Sequence, residues 1–576
     1  MLVLFVAGLL LRWLVAFHPH SGMGRPPMYG DFEAQRHWVE ITNALPPKDW
    51  YANTTDNDLQ YWGLDYPPLS AWHAKLIGVS YQFLLQQAAK VARQPYPIAD
   101  GEDVEVDTSA WVTHQWNRTF GLHVSRGAED PTTRSVMRVS AWVTDLLAFA
   151  GPAVLFLHLL SGIPTARNHR QAQGSVAPLG IDRSVLSAAM SGPALLLMCP
   201  LPQIFVDHGH FQFNAVPLGM VVTTGIAAVA FGRTQRFLGL LVGVAAMATA
   251  IMFKQIALYY SLGMASYALA VCLRCQRAAG TAISQLVVAV GVGVTILALC
   301  LGPPLRASDV VSRMFPFQRG LYEDKVANVW CALSPVLKLH LLLPRNALVP
   351  FCAGATMVAA APACLSSGWM KKTGSSSAAC GPHVDSLRLC LLLAASSVSF
   401  FLFSFQVHEK AILFVVTPVL LAGCIAERLL RMSNFGDAGN EATAARQWIE
   451  SLPFAATHFT FVALFSLFQL AQKDRLVPVY GALLALGAVH VAFCWTQRYR
   501  RHPMTAHHLE GEFVTRAPFV SVSTLSMIAV FGLETVYVPP PRFPDLTALL
   551  LAAVSCAHFV AYLVYFSRGL WLVRRL

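Results

Sequence analysis

AVPLGMVVTTGIAAVAFGRTQRFLGLLVGVAAMATAIMF, residues 215–253, decides the fold class. Two apolar blocks, 215–232 and 237–253, flank a short connection carrying Arg233 and Arg236. Each block is about as long as a helix needs to cross a ~30 Å hydrocarbon layer. Neither keeps the polar face that a helix on a soluble core turns toward water. Comparable blocks recur at 184–200, 282–301, 346–366, 411–426, 476–495 and 546–567. Of the 576 residues, 55% are hydrophobic and 13% charged, with mean hydropathy +0.50. A soluble chain of this length carries roughly twice that charged fraction. The expectation is an all-α polytopic membrane protein of about fourteen spans.

The net charge of +11 does not indicate nucleic acid, because the bases fall in short clusters between apolar blocks. Most of the twelve cysteines, including Cys199, Cys300, Cys352, Cys424 and Cys556, lie within apolar blocks, where they read as small buried hydrophobes. Cys272 and Cys275 form a lone CxxC with no second pair. MLVLFVAGLLLRWLVAF, residues 1–17, lacks a charged start and a cleavage site, and reads as a short first span.

Starting from a cytosolic N-terminus, the spans are 1–17, 137–161, 184–200, 215–232, 237–253, 256–272, 282–301, 346–366, 386–404, 411–427, 453–471, 476–495, 517–536 and 546–567. The even-numbered connections then carry Arg167 and Arg170, Arg274 and Arg277, Lys371 and Lys372, Arg428 and Arg431, and Arg498 to Arg501. That is the basic bias required of cytosolic loops. The lipid bilayer is therefore a partner of one integral membrane unit, 1–576, with a long first lumenal loop at 18–136 and the rest of the bundle at 137–576. Two sequons, at Asn53 and Asn117, fall in that loop. Within it, 70–93 places Trp72, Leu76, Val79, Phe83 and Leu84 on one helical face. Such a helix either lies in the membrane interface or packs on the bundle. Residues 94–124, 367–385 and 432–448 read as irregular polar insertions.

Charge at membrane level is costly and gathers where it functions or is paired. Here it gathers at lumenal span ends: Asp31, Glu33, Arg36 and His37; Asp65; Asp207, His208 and His210; Lys254; Arg319, Glu323, Asp324 and Lys325; His408, Glu409 and Lys410. A carrier more often places such groups near the midplane on broken helices. Each motif alone has a plainer reading as a turn, a helix end or a solvated charge run. Asp207, His208 and His210 offer three potential ligands, but no partner carboxylate at standard spacing is evident, so no metal is assigned.

GDFEAQRHWVEIT, LQYWGLDYPPLSAW, DHGHFQFN, FPFQRGLYEDKVANVWC and FQVHEKAIL resemble, in order and spacing, the endoplasmic-reticulum glucosyltransferases that use dolichyl-phosphate glucose, a GT-C family. The likeness runs from about residue 10 to the C-terminus. Of the two close family members, RGLYEDK (319–325), GDFEAQRHW and Gly209 look like the one adding the first glucose; Phe32 and Phe213 replace expected tyrosines. The resemblance implies α-1,3 transfer of glucose to the terminal mannose of Man9GlcNAc2-diphosphate-dolichol. It also implies a multi-pass protein of the endoplasmic reticulum with its site toward the lumen, and no cofactor.

A β-linked donor and an α product imply one inversion and one general base, for which Asp31 matches the family's acidic residue. The leaving phosphate gains charge and needs cationic donors: His408 first, then Lys410, Arg319 and Lys254. Arg36, His37, Asp65, Tyr66, His208, His210 and Glu323 are candidate sugar contacts. The absence of a nucleotide-binding glycine loop argues against a nucleotide-sugar donor. The rival readings are a transporter or flippase, the transferase adding the second glucose, and an inactive scaffold.

Overall fold

The computed structural model describes residues 2–92, 108–162, 192–231, 236–275, 279–315, 320–321, 324–368, 381–432, 440–501 and 513–574. Among them are helices and no β-strand. Eleven helices are long and apolar enough to cross a membrane. They are Pro131–Ser161, Arg236–Phe253, Gln255–Leu273, Gly280–Leu301, Arg345–Ser366, His383–Phe403, Glu409–Arg431, Thr443–Lys473, Val477–Arg498, Ala517–Val536 and Leu546–Val573. Each falls on an expected span. The expected spans 1–17 and 215–232 appear as the shorter apolar helices Leu2–Ala16 and Ala215–Ala230. Of 184–200, the stretch up to residue 191 lies outside the described residues, and Gly192–Met198 is helical. Length and composition thus establish a polytopic bundle but not a count of fourteen.

The centre of the bundle is made by His383–Phe403, Glu409–Arg431 and Thr443–Lys473, whose apolar stretches are each 89% buried, against 6% for Gly280–Leu301. Small residues permit the close approach, since interhelical packing in lipid relies on contact rather than water exclusion. A Cβ on Gly423 would press on Pro193 and Ala456, and one on Gly263 on the Leu392 carbonyl. Cys272 is one of the buried, unbridged cysteines; the side chain of Cys275 lies outside the described residues.

Four elements of the first loop and its exit position the site. They are α1 (Gly30–Ala44), α2 (Pro68–Ala92), α3 (Thr108–Phe120) and α4 (Pro131–Ser161). Gly30, at φ 72°, starts α1 where a Cβ would meet the Gly22 backbone at 2.8 Å; only glycine takes that conformation without strain. It puts Asp31 in the helix's first turn, where the N-terminal dipole favours an anion. The start of α4 is fixed by Asp130, whose carboxylate accepts from the amides of Thr132 and Thr133, with Pro131 in the first turn.

One face of α2 packs on α1, α3 and Arg236–Phe253. Its apolar residues Trp72, Leu76, Val79, Phe83 and Leu84 are exposed, the arrangement of a helix lying in an interface. Two expectations are corrected. Part of 94–124 is the helix α3, on which Thr119 and Phe120 are buried; residues 93–107 lie outside the description. Part of 432–448 is the start of Asn440–Phe465, anchored by fully buried Trp448. A polar composition hid both, because one buried face suffices to hold a helix. Of 367–385, residues 369–380 lie outside the description, and the helix Gly381–Phe403 begins within the remainder.

Candidate active site

The motif DHGHF folds as a π-helical segment, Phe205–Phe211, a form frequent at functional sites. Its three polar side chains diverge. Asp207 accepts from Asn214 Nδ2 at 2.7 Å and from the Ala215 amide at 2.8 Å. His208 Nε2 lies 2.8 Å from Asp145 Oδ2 on α4, and that carboxylate also accepts from Arg12 Nε at 2.7 Å. His210 alone points to Asp31, with Nε2 at 2.9 Å from Oδ2. The possible metal set therefore binds three separate partners. Phe211 ends the segment at φ 90°, a conformation costing on the order of 1–3 kcal/mol for a bulky residue. Arg138 from α4 holds it by donating to the His208 and Gly209 carbonyls.

Asp31 is the hub. Its Oδ2 accepts from Gln212 Nε2 at 2.6 Å, Lys410 Nζ at 2.7 Å and His210 Nε2 at 2.9 Å. Among the described residues none donates to its Oδ1, and the side chain is 26% exposed. Burial raises the Asp31 pKa, but Lys410 and His210 outweigh it and hold the carboxyl well below its ordinary value. Lys254 is buried and donates to Gln212 Oε1 at 2.8 Å and Asn214 Oδ1 at 2.6 Å. Its ammonium also sits 4.7 Å from the centre of the Tyr66 ring. It thus orients Gln212, which in turn holds Asp31. Tyr66 packs edge-on to Trp38, and the Asp65 carbonyl accepts from Gln255 Nε2 at 3.1 Å.

His408 is half-buried and opens the turn Glu409–Ile412, which delivers Lys410 to Asp31. Asp324 is ion-paired with Lys473 at 2.8 Å; burial raises its pKa, but Lys473, His408 and Lys410 draw it below the ordinary value. Asp324 therefore reaches the same corner. Arg319 and Glu323 lie outside the described residues.

Arg36 and His37 are not where sugar contacts were expected. Arg36 is fully buried, and all five of its donors are used within the protein. They go to Glu33 at 2.6 and 2.7 Å, Glu40 at 2.8 Å, Ser125 Oγ at 2.6 Å and the Thr119 carbonyl at 3.1 Å. His37 Nδ1 lies 3.3 Å from Glu40, and its ring meets Tyr61 edge-on. This network clamps α1 to α3 and the loop after it. Likewise, buried His208 braces the π segment against α4. The substituted Phe32 stacks on His20 at 3.8 Å, and Phe213 meets His73 at 4.7 Å. Both are buried, where a tyrosine hydroxyl would need a partner.

Asp474, absent from the expected site, accepts from His210 Nδ1. It follows the helix Thr443–Lys473, and 264 residues separate it from His210. The cluster therefore has two carboxylates, an imidazole and an ammonium, and among the described residues no donor reaches Asp31 Oδ1. Such a group can take a proton from a hydroxyl beside a cation able to hold a phosphate.

A family model described as the ALG6, ALG8 glycosyltransferase family matches residues 8–97, 106–437 and 445–565. A protein of Rattus norvegicus named dolichyl pyrophosphate Man9GlcNAc2 alpha-1,3-glucosyltransferase is 33% identical, over 98% of this chain and 96% of its own. One of the same name from Gallus gallus is 31% identical over the same shares. A protein of Drosophila melanogaster, named as probably of that activity, is 29% identical over 97% and 95%.

Proposed function

The chain belongs to the ALG6, ALG8 glycosyltransferase family, and from that premise we propose that it transfers glucose from dolichyl-phosphate glucose to the terminal mannose of Man9GlcNAc2-diphosphate-dolichol. The new bond is α-1,3, and the reaction proceeds with inversion in the endoplasmic-reticulum membrane, its site facing the lumen. The observation that carries this is Asp31, held through Oδ2 with no donor to Oδ1 among the described residues.

The mannose hydroxyl gives its proton to Asp31 Oδ1 as its oxygen bonds to glucose C1. The bond from C1 to the phosphate oxygen breaks, and dolichyl phosphate leaves with the electron pair. A positioned base accounts for ~10²–10⁴ in rate. Without substrate, Asp31 is a weak base because Lys410 neutralises it. The donor phosphate competes for that ammonium from the side of His408. As Lys410 turns toward the phosphate, Asp31 regains basicity and the leaving group gains a cation. Lys254 and Tyr66 hold the frame of the site. Among the cations expected to stabilise the phosphate, His408 and Lys410 are the pair this reading retains.

The test offers purified protein dolichyl-phosphate glucose or UDP-glucose with the unglucosylated lipid-linked acceptor, with or without EDTA. Transfer from the lipid donor alone, yielding a product cleaved by α-glucosidase and unaffected by EDTA, is expected. Transfer from UDP-glucose, or a β-linked product, would overturn the proposal.

A further inference from the structure

His210 lies between two carboxylates: Asp474 at Nδ1 and Asp31 Oδ2 at Nε2. Ionised carboxylates only accept hydrogen bonds. A neutral imidazole, with one N–H, can satisfy only one of them; the doubly protonated ring satisfies both. The charges of Asp31, Asp474, His210 and Lys410 then sum to zero in a nearly closed site. Glucosyl transfer, as proposed above, does not itself require Asp474.

We propose that Asp474 is a positioning residue that keeps His210 in its imidazolium form and so fixes Asp31 through Oδ2, leaving Oδ1 to receive the acceptor's proton. This rests on the transferase reading. Asp474 is buried, 4% exposed, and its Oδ2 rests on the ring's Nδ1. The backbone that carries the ring is held: the His210 carbonyl accepts from the Ser21 amide at 3.0 Å, and Arg138 donates to the carbonyls of the two preceding residues.

The groups facing His210 pull its charge in both directions. Burial and the Lys410 ammonium, 3.1 Å from Nε2, disfavour the cation, but Asp474 and Asp31 outweigh them and raise the pKa. Arg138 from α4 is a further cation at this segment, and His20, from the loop before α1, feels the Asp474 charge. Without Asp474, the cluster would hold one excess positive charge, and the imidazolium is its most easily deprotonated member.

The test uses the purified full chain with dolichyl-phosphate glucose and the unglucosylated acceptor, reading kcat and KM across pH for wild type, Asp474→Asn, Asp474→Glu and His210→Gln. Loss of the imidazolium should set an alkaline limb of kcat. In Asp474→Asn that limb should move to lower pH by about one unit. On that limb, kcat at a given pH should fall by up to about tenfold with donor KM within about twofold, and Asp474→Glu should restore both. His210→Gln should abolish the limb, and adding Asp474→Asn to it should cost less than about a further twofold.

A uniform loss at all pH values, or equal cost of Asp474→Asn with and without His210, would overturn the proposal. If Asp474→Asn does not purify as folded protein, a limb persisting in His210→Gln overturns it equally. A wild type without any transfer would instead sink the transferase reading, whereas an active wild type isolates this one.

Discussion

Arg36 lies in the motif GDFEAQRHW, five residues from the proposed base, yet the structure makes it a brace. Replacing it with lysine keeps the charge but offers three donors where five are used. At least two bonds are lost. Bonds to charged groups contribute about 1.5–3 kcal/mol each, so the expected loss of stability is at least roughly 3 kcal/mol. Alanine is worse: it leaves the carboxylates of Glu33 and Glu40, both buried, without their cation. Breaking a buried pair in that way costs about 3–5 kcal/mol. The assay is thermal unfolding of the detergent-purified variants, paired with transfer rates normalised to folded protein. Arg36→Lys should lower the melting temperature while kcat and both KM values stay within about twofold. A variant with wild-type stability and a tenfold rise in acceptor KM would refute the brace and restore the sugar contact.

Lys410→Gln should move the acid limb of kcat/KM to higher pH, because Asp31 loses the strongest influence opposing its burial and its pKa rises; a pH–rate profile reads this directly. Glu40 governs stability rather than rate. Burial raises its pKa, but the His37 and Arg36 contacts outweigh this and hold it at about 2 against an ordinary 4.5. Its contribution is therefore complete above about pH 4.5 and lost as pH falls toward 2. Glu40→Gln should flatten the pH dependence of the melting temperature over that range. Of the two sequons, Asn53 sits exposed in a loop, whereas Asn117 lies within α3 with Thr119 buried and bonded to the Gln115 carbonyl. Expressed in a eukaryotic host, the protein should lose its glycosidase-sensitive mobility shift in Asn53→Gln and keep it in Asn117→Gln.

The bundle was legible because spans are written in consecutive apolar residues, a signal that needs no tertiary information. The site was legible only as far as single motifs reach. GDFEAQRHW identified an acidic residue but misjudged its neighbours, although the helical period held the answer. At ~100° per residue, Glu33, Arg36, His37 and Glu40 fall about 120–180° away from Asp31, at mutual spacings of three and four residues. Asp474 was hidden differently. KDR at 473–475 looks like an ordinary charged span end, and nothing local ties it to His210. Counting connections nevertheless puts it on the same face as DHGH. The Arg12–Asp145 pair had its own signal, an acid and a base in otherwise apolar spans, for which pairing is the usual solution. Helix α3 was missed because its composition is polar and only a few of its residues are buried.

The most direct test of the central claim is acceptor choice by the purified protein and by Asp31→Asn. With dolichyl-phosphate glucose and Man9GlcNAc2-diphosphate-dolichol, wild type should add one glucose. Asp31→Asn, folded to the same extent, should be slower by about 10²–10⁴. Extension of a monoglucosylated acceptor alone, or undiminished transfer by Asp31→Asn, would contradict the account.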